Sequence, residues 1–196
     1  MTVLFFDTET TGFFQDRLPV DHPEQPYIVQ LAAQLCQDDG EPIAGFSFIV
    51  DPGVSIPERA SAVHGITDER AVQFGVSAEA ALSAFTHLYQ RSDLVVAHNI
   101  KFDRGVIEAA ISRHYKKVMP LRKTLFCTME AATPIINLPP TERMKAVGFD
   151  KPKPPKLEEC IRHFFDEDFD DAHDAMADVV ACRRVYLHLK TLGSAT

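Results

Sequence analysis

The sequence predicts an α/β fold in which helices cover a mixed sheet of five strands. Three strand-like segments come first, and strand-like and helix-like segments alternate after them, an order that is typical of such a sheet. The 196 residues contain no internal repeat and no change of composition, and their length suits one core. We therefore expect a single domain over residues 1–196.

Five segments have the pattern of strands. Residues 2–6 are a continuous apolar run that ends at Asp7, which is typical of a buried central strand. Residues 27–36 and 43–50 are two further strands, separated by a turn at residues 38–40. Residues 94–97 and 124–128 are the two short strands that follow.

The helices lie mainly in the second half of the chain. Residues 55–73 contain short helical pieces, and residues 77–89 have helical periodicity with Ser77 as the cap. Further helices are predicted over residues 101–114, 130–136, 156–165 and 174–190, the last one ending near Gly193. Residues 15–26 and 138–155 are polar and rich in proline, and we expect exposed loops there.

The net charge of −8 argues against a protein that coats nucleic acid. It does not argue against a nuclease, because bound cations would supply positive charge that composition does not record. Two basic clusters could follow a nucleic-acid backbone or could be solvated faces: Arg113, Lys116, Lys117, Arg122 and Lys123, and Lys145, Lys151, Lys153 and Lys156.

The sequence also bears on location. It has no basic leader and no apolar stretch of the roughly 18–20 residues that a membrane span needs, so we expect no membrane association. The four cysteines are widely spaced and form no Cys-x-x-Cys pair, which favours reduced thiols and a cytoplasmic protein.

Asp7 and Glu9 are the first candidates for chemistry. Residues two apart in a strand point to the same side, so both carboxylates face one patch at the end of the first strand. Two like charges at such a short distance require either a cation between them or a raised pKa of one carboxyl group. Exposed acids at a strand end are common, but Thr10-Thr11-Gly12 follows directly, and backbone can approach a ligand closely at a glycine.

Asp103 and Asn99 follow the fourth strand. Asp103 falls in the first turn of the predicted helix, where an acid is often only a favourable partner of the helix dipole. Asn99 is similarly placed to cap that helix. Neither residue indicates a site by itself.

His173 and Asp178 are the third element. On one continuous helix a separation of five residues would put them on different faces. A helix that begins at or after His173 leaves the histidine in the preceding loop, with Asp178 in the first or second turn. Both side chains can then reach one site, and a loop histidine suits a general base. A surface histidine among acidic residues is the alternative interpretation.

Together these elements supply four carboxylates and one histidine from two strand ends and two helix starts. Magnesium prefers oxygen ligands, and a pair of such ions can stabilise both the attacking and the leaving oxygen of a displacement at phosphorus. The set therefore predicts a site for two divalent cations, Mg²⁺ or Mn²⁺, and phosphodiester chemistry.

Three motifs resemble the DEDDh 3′→5′ exonucleases, and among them the proofreading subunits of bacterial replicative DNA polymerases and their free-standing relatives. They are Phe5-Phe6-Asp7-Thr8-Glu9-Thr10-Thr11-Gly12, His98-Asn99-x-x-Phe102-Asp103 and His173-x-Ala175-x-x-Asp178. The resemblance covers nearly the whole chain. It implies a ribonuclease H-like fold, a mixed five-stranded sheet with helices on both faces, and release of nucleoside monophosphates from 3′ ends.

The resemblance also implies roles for individual residues. Asp7 would bridge two metal ions, Glu9 and Asp178 would complete the nucleophile-side ion, and Asp103 would support the second ion through water. His173 would take a proton from the attacking water. The substrate-binding residues would be Thr10, Thr11, Gly12, His64, Asn99 and Phe102, with Phe102 suited to stacking on any base.

Several alternatives stay open. Residues 14–26 and 138–155 are longer than the resemblance leads us to expect, so strand preference and partners are not carried over. The expected partner is a single-stranded or frayed DNA 3′ end, with an exoribonuclease or oligoribonuclease as the alternative. A DNA polymerase or repair complex is a further possible partner, although the short segment after the last helix favours a free-standing enzyme. A catalytically silent nucleic-acid-binding module is the rival from another class, and the oligomeric state is open.

Overall fold

The computed structural model describes residues 1–169 and 173–194. Its strands are β1 (Thr2–Thr10), β2 (Ile28–Gln37), β3 (Pro42–Asp51), β4 (Val76–Ser77), β5 (Leu94–Ala97) and β6 (Thr124–Cys127). They form one sheet in the order β4-β3-β2-β1-β5-β6. β1 pairs antiparallel with β2 and parallel with β5, so the predicted mixed sheet is confirmed.

All five predicted strands are present, and the strand count differs only through β4. This strand has two residues and pairs parallel with the end of β3, at Val50 and Asp51. Two residues are too few to produce a periodic pattern, which explains why the sequence did not reveal it.

Helices cover both faces of the sheet. Within the described residues they are α1 (Glu58–His64), α2 (Asp68–Phe74), α3 (Ala78–Arg91), α4 (Ile100–Tyr115), α5 (Thr128–Ile136), α6 (Glu142–Ala146), α7 (Leu157–Phe165) and α8 (Ala175–Thr191). The predicted cap of α3 is present, because the Ser77 hydroxyl accepts a hydrogen bond from the Ala80 amide at 3.2 Å. None of these helices is both long and apolar enough to cross a bilayer.

β1 separates two apolar cores because its side chains alternate between the two faces. Leu4 and Phe6 pack into the core under α3 and α4, where Phe6 contacts Phe85 with ring centroids 5.2 Å apart. Val3 and Phe5 pack into the core under α7 and α8. The strand that ends in the acidic motif is therefore held rigidly from both sides.

The proline-rich segment after β1 is an ordered loop. Gln25 is only 1% exposed, and its side-chain amide donates to the carbonyls of Gln15 and Pro19, both at 3.1 Å. Phe14 packs over Gly105 of α4, where an added Cβ would lie 2.8 Å from the ring. The loop is therefore fixed from within and against the helix that carries Asp103.

The prediction of a plain loop over residues 138–155 is wrong in part. The segment contains the short helix α6, whose cap Thr141 accepts from the Met144 amide at 3.2 Å. Its ends meet where the Lys153 amide donates to the Leu138 carbonyl at 3.0 Å. A five-residue helix with no buried residue has no apolar stripe, so hydrophobic periodicity could not indicate it.

Candidate active site

The carboxyl half of β1 presents alternate side chains to different partners. Asp7 and Glu9 share the face that α8 covers, whereas Thr8 points toward α4. β1 extends to Thr10, four residues beyond the predicted end, with an irregular register between Glu9 and Thr10. The two acids therefore project from an ordered strand, which fixes their backbone.

Asp103 is fixed from β1. It lies in the first turn of α4 and is only 3% exposed. The Thr8 hydroxyl and amide both donate to Asp103 Oδ1, at 2.7 and 3.1 Å, which leaves the second carboxylate oxygen for another partner. Asn99 occupies the cap position with φ 67°, but its side chain makes no cap hydrogen bond, so its amide group is available to a ligand.

The start of α8 brings the third element to β1. Asp174 caps the helix by accepting from the Met176 and Ala177 amides at 3.1 Å, and Gln30 of β2 donates to Asp174 at 3.0 Å. This cap places His173 before the helix and Asp178 in its first turn. The structure therefore has the arrangement expected from the sequence, with His173 before the helix and Asp178 in its first turn.

His173 is held beside the carboxylates by its own backbone. Its φ is 74°, and its amide donates to Asp178 Oδ2 at 3.1 Å. Its ring Nδ1 lies 4.0 Å from Glu9 Oε1. Ligand-type atoms of Glu9, His173 and Asp178 all lie within 4.8 Å of one another. The structure thus gathers residues from β1 and α8 around one point.

Burial and mutual repulsion raise the pKa of all four acids. Burial raises the pKa of Glu9 to about 8 and the pKa of Asp178 to about 7. Burial also raises the pKa of Asp103 to about 7, although its hydrogen bonds from Thr8 act in the opposite direction. Burial, followed by repulsion from Asp103 and Asp178, holds the pKa of Asp7 well above its usual range.

This cluster fits divalent cations. Four mostly buried carboxylates cannot all ionise at neutral pH unless positive charge compensates them. Side chains of the described residues supply no lysine or arginine ion pair to Asp7, Glu9, Asp103 or Asp178. Hard cations that prefer oxygen ligands are the partners that such a donor set can hold. Asp7, Glu9, Asp103 and Asp178 are accordingly the residues that would hold them.

The raised pKa values predict an unusual pH dependence of stability in chelator. The folded protein binds more protons than the unfolded chain between about pH 4 and pH 8, so the free energy of unfolding falls as pH rises through that range. We expect the melting temperature in chelator to be roughly 5–10 °C higher at about pH 5 than at about pH 8. Magnesium should remove most of this difference, and Glu9→Gln should reduce it. An equal pH dependence of the melting temperature with and without magnesium would contradict this prediction.

A cleft of about 350 Å³ adjoins the carboxylates. We call it the His64 cleft, and the predicted substrate-binding residues Thr10, Gly12, His64 and Phe102 line it together with Glu9 and His173. Thr11 lines an adjoining cleft instead, where its hydroxyl accepts from the Tyr27 amide at 3.0 Å. Thr11 therefore holds the loop in place, whereas the other four residues face the space beside Glu9.

The His64 ring, which lines this cleft, carries its proton on Nε2. Its Nδ1 accepts from the Ile66 amide at 3.1 Å, so the proton of the neutral ring lies on Nε2. That Nε2 is buried and forms no hydrogen bond of normal geometry among the described residues, and the Thr10 carbonyl is the acceptor beside the ring. Burial also lowers the pKa of His64, which favours the neutral ring. A buried donor without a partner is costly, and a polar ligand in the cleft would satisfy it.

A second cleft of about 440 Å³ adjoins the carboxylates Asp7 and Asp178. We call it the His98 cleft, and Asp7, Asp178, His98 and Asn99 line it together with a wall formed by residues 154–158. Asn99 therefore lies in this cleft and does not line the His64 cleft. Phe13 and His173 line both clefts.

Sequence reasoning missed Phe13. Its side chain is 81% exposed although the neighbouring Phe14 packs into the core. An exposed aromatic ring between two clefts is a surface on which a base can stack. The available signal was a pair of phenylalanines directly after Thr-Thr-Gly in an otherwise polar loop.

A sequence profile of the exonuclease family RNase_T matches residues 4–186, nearly the whole chain. The chain belongs to this exonuclease family. The assignment confirms the resemblance that the three acidic motifs indicated and the class of enzyme, a phosphodiester hydrolase.

Individual relatives agree with this assignment. The chain is 30% identical over 192 residues to a DNA polymerase III subunit epsilon-like protein of Rhodobacter capsulatus, covering 96% of this chain and 24% of that protein. It is 26% identical over 185 residues to DNA polymerase III subunit epsilon of Buchnera aphidicola, covering 94% of this chain and 70% of that protein. It thus spans about a quarter of the first relative.

Solved structures show the same fold. The zinc-bound complex of E. coli exonuclease I with single-stranded DNA has a TM-score of 0.74 at 22% identity, over 97% of this chain and 40% of that one. The complex of that enzyme with a dT13 oligonucleotide also has a TM-score of 0.74, at 21% identity, over 97% of this chain and 41% of that one. The predicted fold class is confirmed.

Proposed function

We propose that this chain is a metal-dependent 3′→5′ exonuclease that releases nucleoside monophosphates from single-stranded or frayed DNA, with residues 1–196 acting as one catalytic domain. The observation that carries the proposal is the meeting of Asp7, Glu9, Asp103 and Asp178 beside His173. Carboxylates of raised pKa that converge between two clefts are suited to holding a phosphodiester through two divalent cations, Mg²⁺ or Mn²⁺.

The chain's own residues have distinct parts in the proposed reaction. Bound cations supply positive charge to the phosphate oxygens and lower the pKa of coordinated water. Asp7 and Glu9 provide oxygen ligands from the rigid β1 strand, and Asp178 provides them from α8. Asp103 is oriented by its two hydrogen bonds from Thr8. Fixed ligands reduce the reorganisation that the site needs at the moment of reaction.

His173 is the proposed general base. Its ring is 52% exposed and lies 4.0 Å from Glu9, so it can reach a water molecule that approaches the phosphate beside this carboxylate. A neutral imidazole nitrogen accepts the proton, and the exposed ring can pass it to solvent. The bond between the amide of His173 and Asp178 keeps the base in place.

The His64 cleft is proposed to hold the 3′-terminal nucleoside. Phe102 gives an apolar surface, and His64 Nε2 offers a hydrogen bond to a polar group of the sugar or base. A site of this composition accepts any base by stacking, as an exonuclease requires. E. coli exonuclease I, which has the same fold, forms a complex with single-stranded DNA, and this supports DNA here.

Replacement of Phe13 is expected to weaken activity without unfolding the protein. Phe13→Ala removes a stacking surface, and we expect kcat/KM to fall about tenfold, since stacking on an aromatic side chain contributes roughly 1–3 kcal/mol per base. Phe74→Ala is the matched control, because Phe74 is 64% exposed on α2 and lines neither cleft. Equal effects of the two variants would contradict a substrate-binding role for Phe13.

The substrate is tested by comparing kcat/KM on DNA and RNA oligonucleotides of one sequence, each with magnesium. Faster shortening of DNA supports the proposal, and faster shortening of RNA supports the exoribonuclease or oligoribonuclease alternative. Turnover of neither would favour a catalytically silent module. We further propose that the enzyme acts in the cytoplasm, and the epsilon-subunit relatives make a DNA polymerase or repair complex a candidate partner.

A further inference from the structure

Two clefts adjoin the carboxylates: Glu9 lines the His64 cleft, and Asp7 and Asp178 line the His98 cleft. A phosphodiester held at Asp7 and Glu9 has one nucleoside on each side of its phosphorus. The His64 cleft takes the 3′-terminal nucleoside in the proposed function. The nucleoside on the 5′ side of the scissile bond then lies toward the His98 cleft, which residues 154–158 also line.

Hydrogen bonds of His98 hold the wall of the His98 cleft in place. Its Nε2 lies 3.0 Å from the Pro155 carbonyl, and its Nδ1 lies 2.9 Å from the Thr128 hydroxyl. Burial lowers the pKa of His98 to about 4, so the ring is neutral, donates from Nε2 and accepts at Nδ1. His98 therefore ties the wall to α5 at the site.

The same wall is the end of a longer basic segment. We call residues 139–156 the basic arm, and its base is closed by the hydrogen bond from the Lys153 amide to the Leu138 carbonyl. The basic arm has five basic and two acidic residues, a net charge of +3, whereas the whole chain has a net charge of −8. Lys156 at the end of the basic arm lines the His98 cleft, and the other basic residues precede it in the chain.

The basic arm contains both paired and unpaired basic side chains. Lys145, Lys153 and Lys156 pair with Glu142, Glu159 and Glu158, and Glu158 also lines the cleft. Arg143 and Lys151 form no ion pair with any described residue.

Two exposed apolar side chains lie between these basic residues in the sequence. Phe149 is 46% exposed and Val147 is 77% exposed. Cationic side chains interleaved with an exposed aromatic ring suit a single strand, whose phosphates need charge and whose bases need a stacking surface.

We propose that the basic arm binds the single strand on the 5′ side of the scissile phosphate and guides it into the His98 cleft. This inference rests on the proposed exonuclease function. It distinguishes the two basic clusters of the sequence: the cluster around Lys116 lies beside a different cleft, which none of the catalytic carboxylates lines. Arg143 and Lys151 are the expected phosphate contacts, and Phe149 is the expected stacking surface.

The test compares a long substrate with one that has no upstream phosphate. The double variant Arg143→Glu/Lys151→Glu is assayed with magnesium on an oligothymidylate of about 20 nucleotides and on the dinucleotide dTpdT with a free 5′ hydroxyl. We expect KM for the oligothymidylate to rise at least about tenfold and the slope of log kcat/KM against log salt to become shallower by about 1.4, because each phosphate contact to a single strand contributes roughly 0.7. Turnover of dTpdT should not change.

The double variant Lys116→Glu/Lys117→Glu is the matched control, since it makes the same change of charge at exposed positions. An equal rise of KM in both double variants, or no rise in the variant of the basic arm, would overturn the inference while leaving the exonuclease assignment intact. A wild-type protein that hydrolyses neither substrate would instead overturn the proposed function.

Discussion

Asp7→Ala is expected to abolish metal-dependent hydrolysis, with kcat/KM reduced at least about 10³-fold. Burial raises the pKa of Asp7, and the charges of Asp103, Asp178 and Glu9 raise it further. Its removal takes an oxygen ligand from the centre of the proposed cation site. The measurement is single-nucleotide release from an oligonucleotide with magnesium, at matched protein concentration.

A second measurement separates loss of chemistry from loss of fold. Asp7→Asn keeps the shape of the side chain but removes a carboxyl group whose charged form is disfavoured by burial and by the neighbouring acids, so it should be inactive and yet melt at a higher temperature than wild type in chelator. Asp39→Ala is the matched control, since Asp39 lies in the turn at the far end of β2 from the site. Near wild-type turnover by either Asp7 variant would contradict the assignment of the site.

His173→Ala is expected to lower kcat by ~10²–10⁴-fold while KM and the magnesium requirement change little, as for the loss of a general base. Its ring is half exposed, whereas the carboxylates are more deeply buried, so the fold should survive. The measurement is kcat at saturating magnesium, together with a magnesium titration of activity.

The magnesium titration distinguishes a base from a ligand. Ligand-type atoms of His173, Glu9 and Asp178 lie close enough to hold one ion, so a ligand role is the competing explanation. A large rise in the magnesium concentration needed for half-maximal rate would favour that role. His87→Ala is the control, since His87 is an exposed histidine on α3 that lines neither cleft.

The sequence predicted the parts of the site that depend on local spacing. Alternation along β1 placed Asp7 and Glu9 on one face, and the helix start after His173 placed Asp178 beside it. These predictions needed only the geometry of one strand and one helix. The buried apolar run before Asp7 also indicated the central strand correctly, because a strand covered on both faces has no polar side.

The features that the sequence did not predict depend on contacts between distant residues. Gln25 is a polar residue in a proline-rich stretch, and only its three-dimensional neighbours explain why it is buried and orders the loop that carries Phe13. The closure of the basic arm at Leu138 and Lys153 is likewise a single backbone hydrogen bond. Neither feature has a periodic pattern that the sequence could show.

The measurement that tests the central proposal most directly is a time course of the purified protein on single-stranded DNA with a 5′ label, with magnesium and with chelator. The proposal predicts a ladder that shortens one nucleotide at a time from the 3′ end with magnesium, and intact substrate with chelator. Release of the label in the first step, internal cleavage, or equal degradation in chelator would contradict it.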